Sequence, residues 1–268
     1  MNESIFTRIK SLPPLPESAI RIQSICNNPD SSLADLAQVV EQDPMLTANL
    51  LKAANSPLYG FSREIKTLMQ AVSLFGMATV RGFALASAVK NALKVDLTPY
   101  NLSTDRFADL SQSQNALMVR WYGPINRPML DILSPAAFLV GIGRIVLAQE
   151  VIKNGQSAEF QAQAQALGSF EAAEEERFAL RYEDVSAEIF SHWRFEPAMI
   201  EAIRTSRSPA DAPAEIQPYA LALSIVQKAY PIPHGPSLQS LEAALELAKE
   251  HGLETKGLED AAKGFGAA

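Results

Sequence analysis

Helix start and stop signals recur along this chain from residue 17 to residue 251, whereas signals for strands are almost absent. Ser32, followed three residues later by Asp35, matches a capping box, and apolar residues then recur at helical spacing from Leu33 to Val40. Amphipathic helices without a sheet to cover must bury their apolar stripes against one another. The pattern therefore predicts an all-α fold.

The next predicted helix has the clearest boundaries. Asp43 can accept hydrogen bonds from the free amides of a helix start, and Pro44 suits the first helical position because it has no amide hydrogen to lose. Its buried stripe is predicted at Leu46, Leu50, Ala53 and Ala54. Asn55 is expected to take the left-handed position at the helix end, and Pro57 forbids continuation, so that a loop runs through Gly60.

The chain after this loop predicts a buried central helix. Thr67 and Gln70 form another capping box, and Gly76 can end the helix that they start. The segment from Val80 to Leu93 has few charges and is expected to be buried on most sides. We place a subdomain boundary in the turn-rich stretch from Lys94 to Tyr100.

A second set of helices follows that boundary. Thr104 and the Ser134-Pro135 pair are predicted to begin the first two of them. The buried face of the first is predicted at Phe107, Leu110, Ser111, Gln114, Leu117, Met118 and Trp121. The expected organisation is an N-terminal helical subdomain (1–100), a second helical subdomain (101–210), and C-terminal helices with a frayed tail over the last ten residues (211–268).

Charge and composition argue against several classes of partner. The net charge is −7, and no cluster of Lys and Arg is present that would attract a phosphate backbone or an anionic membrane. No apolar run of about 18 residues and no signal peptide are evident, so we expect a cytoplasmic protein. The single cysteine, Cys26, is expected to be a small buried hydrophobe.

Metal-dependent hydrolysis needs several His, Asp or Glu ligands, and of these residue types only histidine is scarce here. The chain has three histidines, and they share no ligand spacing. We expect His192 to be half-buried in a helix, His234 to lie in a loop and His251 to end a helix, and we expect no metal or other cofactor. Two further motifs are interpreted structurally: Gly141 to Gly143 as a site of close helix packing, and Glu174 to Glu176 as a solvated face.

Several motifs of the N-terminal half occur together in a characteristic order. They are Leu12 to Pro16, Asp43-Pro44, Leu50-Leu51 through Asn55-Ser56, Tyr59-Gly60, and Leu74 to Gly76. In this arrangement the chain resembles the HDOD family. The resemblance extends more weakly to Trp193 and Pro197 and covers about three quarters of the chain.

The resemblance implies a fold like that of the HD phosphohydrolases, helical enzymes whose His and Asp ligands hold one or two metals. HDOD proteins have generally lost these ligands. In this chain the corresponding positions fall near Gln112, at Val140 and Gly141, near Tyr182, and near Ser206. No histidine precedes residue 192, so the resemblance implies a degenerate hydrolase fold without an HD-type metal site.

The function that the resemblance implies is bacterial signalling through protein contacts in motility, chemotaxis or cyclic-di-GMP pathways. The first hypothesis is a non-catalytic interaction module that acts on a separate partner, with a possible small ligand in the old cleft. Ser56, Tyr59 and Arg63 are the candidate partner surface. For the motif residues Asp43, Pro44, Asn55, Ser56, Gly60 and Gly76 a mainly structural role is favoured over direct partner contact.

Two other hypotheses remain open. The first is a metal-dependent phosphohydrolase that uses carboxylate ligands alone, with Asp105, Asp109 and Asp131 near the supposed cleft. The second is nucleic-acid binding, which the negative charge opposes.

Overall fold

The computed structural model describes residues 2–263, and these residues form helices joined by short turns, with no strand among them. The α-helices are α1 (Asn2–Lys10), α2 (Glu17–Asn27), α3 (Leu33–Val40), α4 (Pro44–Ala54), α5 (Leu68–Ala92), α6 (Thr104–Tyr122), α7 (Leu130–Leu139), α8 (Gly143–Lys153), α9 (Ser157–Leu167), α10 (Phe170–Phe178), α11 (Tyr182–His192), α12 (Pro197–Arg204), α13 (Gln217–Ala229), α14 (Leu238–Glu250) and α15 (Lys256–Lys263). The all-α fold is therefore as the helix signals predict. Of the tail expected to fray, residues 264–268 lie outside the described residues.

Most of the helix starts are those that the sequence predicts. The Ser32 capping box forms in full, and Asp43 Oδ1 accepts from Leu46 N at 3.0 Å at the start of α4. The cap of α6 is Ser103 rather than Thr104, because the Ser103 hydroxyl accepts from the amide of Arg106 while Thr104 already has helical geometry.

The predicted start of α7 at Ser134-Pro135 is wrong. A 3-10 turn, Arg127–Met129, runs directly into α7, so the helix is already formed when the chain reaches Pro135. A proline in the second turn removes only the hydrogen bond to the carbonyl of Asp131, and the helix continues. Pro135 also packs tightly: a Cβ added to Gly82 of α5 would lie 3.3 Å from the Cα atom of Pro135.

Helix α5 is the central element. It packs against α2, α3 and α4 on one side and α7 on the other, and one continuous hydrophobic cluster joins all of them. The helix breaks at Gly76, whose φ of 73° and ψ of 171° are outside the helical region. The expectation that Gly76 interrupts the helix is confirmed, although a second helical segment follows immediately.

Both ends of the described chain pack on the helices that follow residue 100, which we call the second half of the molecule. Helix α1 lies on α8 and α11, where Arg8 forms an ion pair with Glu150 at 3.3 Å. Helix α15 lies on α6, and Trp121 Nε1 donates to the carbonyl of Glu254 nearby. The division into 1–100, 101–210 and 211–268 stays a prediction.

Two segments are long and apolar enough to cross a membrane by length and composition alone, Leu68–Lys90 and Arg127–Lys153. The protein itself buries 61% of the apolar window in the first and 89% in the second. Core helices of a folded domain have this character, because a helix that is apolar all round needs neighbours on all sides.

Candidate functional site

Three of the positions that the resemblance assigns to HD-type metal ligands come together at one end of α7. A 3-10 turn, Val140–Ile142, joins α7 to α8, and Tyr182 begins the neighbouring helix α11. Val140, Gly141 and Tyr182 line a single cavity of about 40 Å³. A water molecule occupies about 30 Å³ of liquid. The cleft that the sequence suggests for a small ligand therefore has room for about one water.

The glycines of this turn allow the helices to approach closely. A Cβ added to Gly143 would lie 2.1 Å from the carbonyl oxygen of Tyr182, a distance that no side chain tolerates. The Gly143 amide donates to Ser186 Oγ at 2.8 Å, and that hydroxyl donates to the carbonyl of Val140 at 2.7 Å. The interpretation of the Gly141 to Gly143 motif as a helix-packing site is confirmed, although the turn is a 3-10 turn rather than a helix interior.

The side chain of Arg144 fills the cleft. Its guanidinium is 1% exposed and lies 3.7 Å from the centre of the Tyr182 ring. Arg144 Nε donates to Glu174 Oε1 at 3.1 Å, and Arg144 Nη2 forms a close ion pair with Glu171. A planar guanidinium suits this place because it can stack on a ring and pair with two carboxylates at once.

The charges of this cluster are coupled. Burial would lower the pKa of the Arg144 guanidinium, but the carboxylates of Glu174 and Glu171 raise it well above its ordinary value, so that the cation persists. Burial raises the pKa of Glu174 to about 7 even though Arg144 opposes the shift. At Glu171, burial raises the pKa, but Arg144, a backbone hydrogen bond and the charge of Arg207 together outweigh it, and the pKa of that carboxyl is lowered.

The interpretation of Glu174 to Glu176 as a solvated face is wrong for its first residue. Glu174 is 0% exposed and accepts from the Tyr100 hydroxyl at 2.9 Å as well as from Arg144, whereas Glu175 and Glu176 are exposed. Successive residues on a helix point about 100° apart, so a triplet of identical residues cannot share one environment.

Polar side chains continue the cluster around the cavity. The Tyr182 hydroxyl donates to Gln227 Oε1 at 2.9 Å, and Gln227 Nε2 donates to Ser206 Oγ at 3.0 Å. Gln114, not Gln112, lines the cavity from α6; Gln112 is half-buried and points elsewhere. A shift of two residues along a helix turns the side chain through about 200°, so Gln112 and Gln114 lie on different faces of α6.

The residues in the cleft do not fit a metal of the kind that HD enzymes hold. Within residues 2–263 no three or more His, Cys, Asp or Glu side chains form a group that could hold a metal ion. The centre of the cleft carries a guanidinium, whose positive charge repels a divalent cation.

The carboxylates of the alternative hypothesis do not gather in this cleft. Asp105 and Asp109 are exposed on α6, and Asp131 lines a different cavity. Among the histidines, His192 is exposed rather than half-buried, with a ring nitrogen 3.2 Å from the carbonyl of Leu12. His251 ends α14 as expected.

The loop after α4 is held by an amide clamp that the sequence did not reveal. Asn55 is not left-handed; its φ is −94°. Its side chain instead donates to the carbonyl of Ile65 at 2.8 Å and accepts from the amide of Ile65 at 2.8 Å, while also donating to Leu51 O. The loop is thereby closed across ten residues, and the left-handed position falls to Gly60 with a φ of 67°.

The prediction that Tyr59 belongs to an exposed surface is wrong. The side chain is buried and anchors this loop to the second half of the molecule. It is 4% exposed, and its hydroxyl donates to Asn115 Oδ1 at 2.8 Å. Asn115 Nδ2 in turn donates to the carbonyl and hydroxyl oxygens of Ser134 at 2.8 Å. Of the other candidate surface residues, Ser56 is half-buried and accepts from the amide of Leu58, and Arg63 is exposed.

Comparison with known proteins gives a family match over most of the chain. The sequence model of the HDOD domain matches residues 12–209. A segment of 74 residues is 35% identical to an uncharacterized protein from Treponema pallidum (strain Nichols). That segment is 28% of this chain, and it spans only 14% of the length of that protein.

Solved structures with the same fold cover nearly the whole chain. A virulence factor from Campylobacter jejuni subsp. jejuni is 27% identical, with a TM-score of 0.61 over 97% of this chain and 95% of the other. A candidate phosphohydrolase from Shewanella amazonensis SB2B is 21% identical, with a TM-score of 0.69 over 98% and 94%. A candidate signal transduction protein from Marinobacter aquaeolei VT8 is 22% identical, with a TM-score of 0.65 over 97% of this chain and 62% of that one.

Proposed function

This chain belongs to the HDOD family, and we propose that it is a non-catalytic module of bacterial signal transduction that acts in the cytoplasm through contacts with a separate protein partner. Motility, chemotaxis and cyclic-di-GMP signalling are the pathways in which we place that partner. The proposal concerns a chain whose fold resembles that of hydrolases but whose cleft has different chemistry.

The observation that carries the proposal is the Arg144 cluster in the cleft. A phosphohydrolase of this fold needs space for a metal and a phosphate group between its helices, with ligands directed at the metal. Here the space is taken by a guanidinium that is stacked on Tyr182 and paired with Glu174 and Glu171. Opening it for a substrate would leave the buried carboxyl of Glu174 and the partly buried carboxyl of Glu171 without their cation, which is unfavourable.

The relatives support both the proposal and its main alternative. One similar structure is described as a candidate signal transduction protein and another as a candidate phosphohydrolase. Both are less than 25% identical to this chain, so they indicate a shared fold, and a fold supports many functions. The alternative is a metal-dependent phosphohydrolase with carboxylate ligands, and an activity test separates the two.

For the enzymatic alternative, we would measure hydrolysis of cyclic dinucleotides, nucleotides and a chromogenic phosphodiester with Mg²⁺, Mn²⁺, Fe²⁺ or Ni²⁺ present. We expect no metal-dependent turnover above that of heat-treated protein, and elemental analysis of the purified protein should detect no stoichiometric metal. Turnover that is abolished by a chelator and restored by a metal would overturn the proposal.

The structure reduces the number of residues in the loop after α4 that are available for contact with a partner. Tyr59 and the Asn55 side chain hold the loop in place, so their replacement would disturb the fold as well as any contact. Arg63 is exposed in this loop, and Met69 is 45% exposed at the beginning of α5. Methionine and arginine are both enriched at protein–protein interfaces.

Affinity purification from the native cell after mild crosslinking would identify the partner. We expect the double variant Arg63→Ala/Met69→Ala to lose a recurrent partner while its unfolding curve remains that of the wild type. The matched control is Lys256→Ala/Leu238→Ala, which removes an exposed cation and an exposed hydrophobe at the other end of the chain. Retention of every partner by the loop variant would exclude this surface.

A further inference from the structure

An apolar cavity lies between the last part of α5 and the first part of α6, apart from the Arg144 cluster. It has a volume of about 70 Å³ and shares no lining residue with the filled cleft. Leu139 and Ile142, at the two ends of the turn between α7 and α8, line this cavity, whereas Val140 and Gly141 line the filled cleft. The cavity is therefore a separate site.

The inner wall of the cavity consists of large apolar side chains that the core holds in place. Phe107 and Phe138 each keep 8% of their surface exposed, while Ile142 and Ile145 keep 2% and 1%. The ring of Phe138 packs edge-on against Phe83 of α5, with 5.0 Å between the ring centres. A cavity with apolar walls stays dry and admits apolar groups.

The rim of the cavity consists of less buried residues, namely Ala86, Lys90, Val95, Thr104 and Ala108. Lys90 and Ala108 are exposed, so the cavity opens to solvent between them. Thr104 Oγ1 donates to the carbonyl of Val95 at 3.3 Å, which ties the stretch after α5 to the beginning of α6. The opening is thus already formed in the folded protein.

Lys90 is the one charged side chain among the described residues that line the cavity. Its ammonium group forms no ion pair or hydrogen bond with another described residue. Asp105 and Asp109 are exposed on α6 but do not line the cavity. An unpaired cation at the mouth of an apolar cavity favours a ligand with an apolar end and an anionic end, because the walls take up the first and the cation fixes the second.

We propose that this cavity binds a short aliphatic carboxylate, with its alkyl chain against Phe107 and Phe138 and its carboxylate on Lys90. An engineered cavity of about 150 Å³ holds benzene, so by the same ratio this one has room for roughly three carbons. Butyrate has a carboxylate at the end of a three-carbon chain and fits this description. Since α5 lines one side and α6 and α7 line the other, the ligand would bridge the N-terminal helices and the second half of the molecule.

Two isoleucines of the wall are site-specific reporters. The test uses the full chain with isotope-labelled isoleucine methyl groups, observed by nuclear magnetic resonance during titration with sodium butyrate. We expect the methyl signals of Ile142 and Ile145 to shift and to saturate. The signal of Ile20, which is exposed on α2 and does not line the cavity, should not move.

Two sets of probes separate the apolar contact from the charged one. In the series acetate, propionate, butyrate and pentanoate, binding should tighten about fourfold for each methylene up to butyrate and then level off, because a further methylene finds no space in the cavity. Butyramide has the shape of butyrate without its charge. We expect it to bind about fivefold more weakly at low salt, which is the strength of an exposed ion pair, and this difference should shrink as salt is added.

Two variants, each with a matched control, locate the ligand. Lys90→Met keeps the length of the side chain but not its charge, and should bind butyrate and butyramide equally well. Lys94→Met changes an exposed lysine that does not line the cavity and should keep the preference for butyrate. Ala108→Leu narrows the mouth and should weaken butyrate binding about tenfold or more, whereas Ala166→Leu, on the exposed face of α9, should leave it unchanged. All four positions are exposed, so the unfolding curves should match that of the wild type.

The proposed ligand site needs no protein partner, so its test is independent of the signalling proposal. The site is overturned if no carboxylate of the series moves the signals of Ile142 and Ile145, or if binding does not depend on chain length. It is also overturned if butyramide binds the wild type as tightly as butyrate does, or if Ala108→Leu binds butyrate as the wild type does.

Discussion

At the scale of single residues, Arg144 decides the character of the old cleft. It is among the largest fully buried side chains, and its charge is balanced by Glu171 and Glu174 rather than by solvent. A buried ion pair adds little net stability compared with a well-packed apolar set, but removal of one partner leaves an uncompensated charge. The cluster is therefore stable only as a unit.

Replacing Arg144 with methionine should lower the free energy of unfolding by about 3–5 kcal/mol, because the buried carboxyl of Glu174 and the partly buried carboxyl of Glu171 lose their cation. Urea denaturation monitored by circular dichroism would measure the change. Arg63→Met, at an exposed position, should stay within about 0.5 kcal/mol of the wild type. If Arg144→Met lost less than about 1 kcal/mol, the buried ion-pair cluster described here would be wrong.

Glu174 should make stability depend on pH. Its folded pKa of about 7 lies above its ordinary value of 4.5, so its contribution is fully present below pH 4.5 and is lost as the pH rises through 7. Between these values the stability of the wild type relative to Glu174→Gln should fall by up to about 1.4 kcal/mol per pH unit. Urea denaturation at pH values of about 5, 6 and 7 would measure this difference.

The neighbouring exposed residue provides the control for that experiment. Glu175→Gln should differ from the wild type by an amount that does not change with pH, because the Glu175 side chain is exposed. If the stability of the wild type relative to Glu174→Gln instead rose with pH, the effect of Arg144 on the pKa of Glu174 would exceed that of burial. The carboxyl would then be ionised in the folded protein.

At the scale of elements, the approach of α8 to α11 depends on Gly143. The Gly143 amide and the Val140 carbonyl share the Ser186 hydroxyl, which places the two helices in backbone contact. The α4 loop shows a related device, since the Asn55 side chain adds three hydrogen bonds to the backbone hydrogen bonds of the helix end. The Ser186 hydroxyl joins two helices that are separated along the chain. The Asn55 side chain joins the two ends of one loop.

Gly143→Ala should destabilise the protein by about 3 kcal/mol or more, because the new methyl group overlaps the carbonyl of Tyr182 and the helices must separate. Thermal unfolding would detect the loss. Gly168→Ala is the matched control: nothing lies within 4 Å of its added Cβ, so only its positive φ of 74° opposes the change, by about 1 kcal/mol. Equal effects of the two substitutions would contradict the close packing at Gly143.

At the scale of the whole molecule, one core joins the N-terminal helices to the rest. The contact of α5 with α7 and the hydrogen bond from Tyr59 to Asn115 both cross between the two halves, and the hydrophobic cluster is continuous. The connecting stretch is itself packed, since Leu97 and Tyr100 are 1% exposed. Such a boundary does not behave as a flexible linker.

We therefore expect a single cooperative unfolding transition, with coincident curves from far-ultraviolet circular dichroism and tryptophan fluorescence in urea. Both tryptophans, Trp121 and Trp193, lie in the second half, so fluorescence reports that half while circular dichroism reports all helices. Native trypsin should not cut at Lys94, although its side chain is exposed. Two separated transitions would show that the halves fold independently.

The sequence by itself determined the helices and most of their buried faces. Capping residues such as Ser32, Asp43 and Thr67 act on amides three residues away, and the predicted stripes of α4 and α6 are buried throughout. These signals are readable because they are local: cap and helical period both depend on residues within a turn or two. The absence of histidine before residue 192 was equally visible, since it needs only the sequence.

Only the tertiary structure decided which side chains fill the cleft beside Val140 and Tyr182. Nothing near Arg144 in the chain indicates that its partners are Glu171 and Glu174, about thirty residues further on, and the same triplet pattern made Glu174 look solvated. Tyr59 was likewise misjudged, because its burial depends on Asn115, 56 residues away. Burial and pairing of polar side chains are properties of the packed helices, and a local pattern does not contain them.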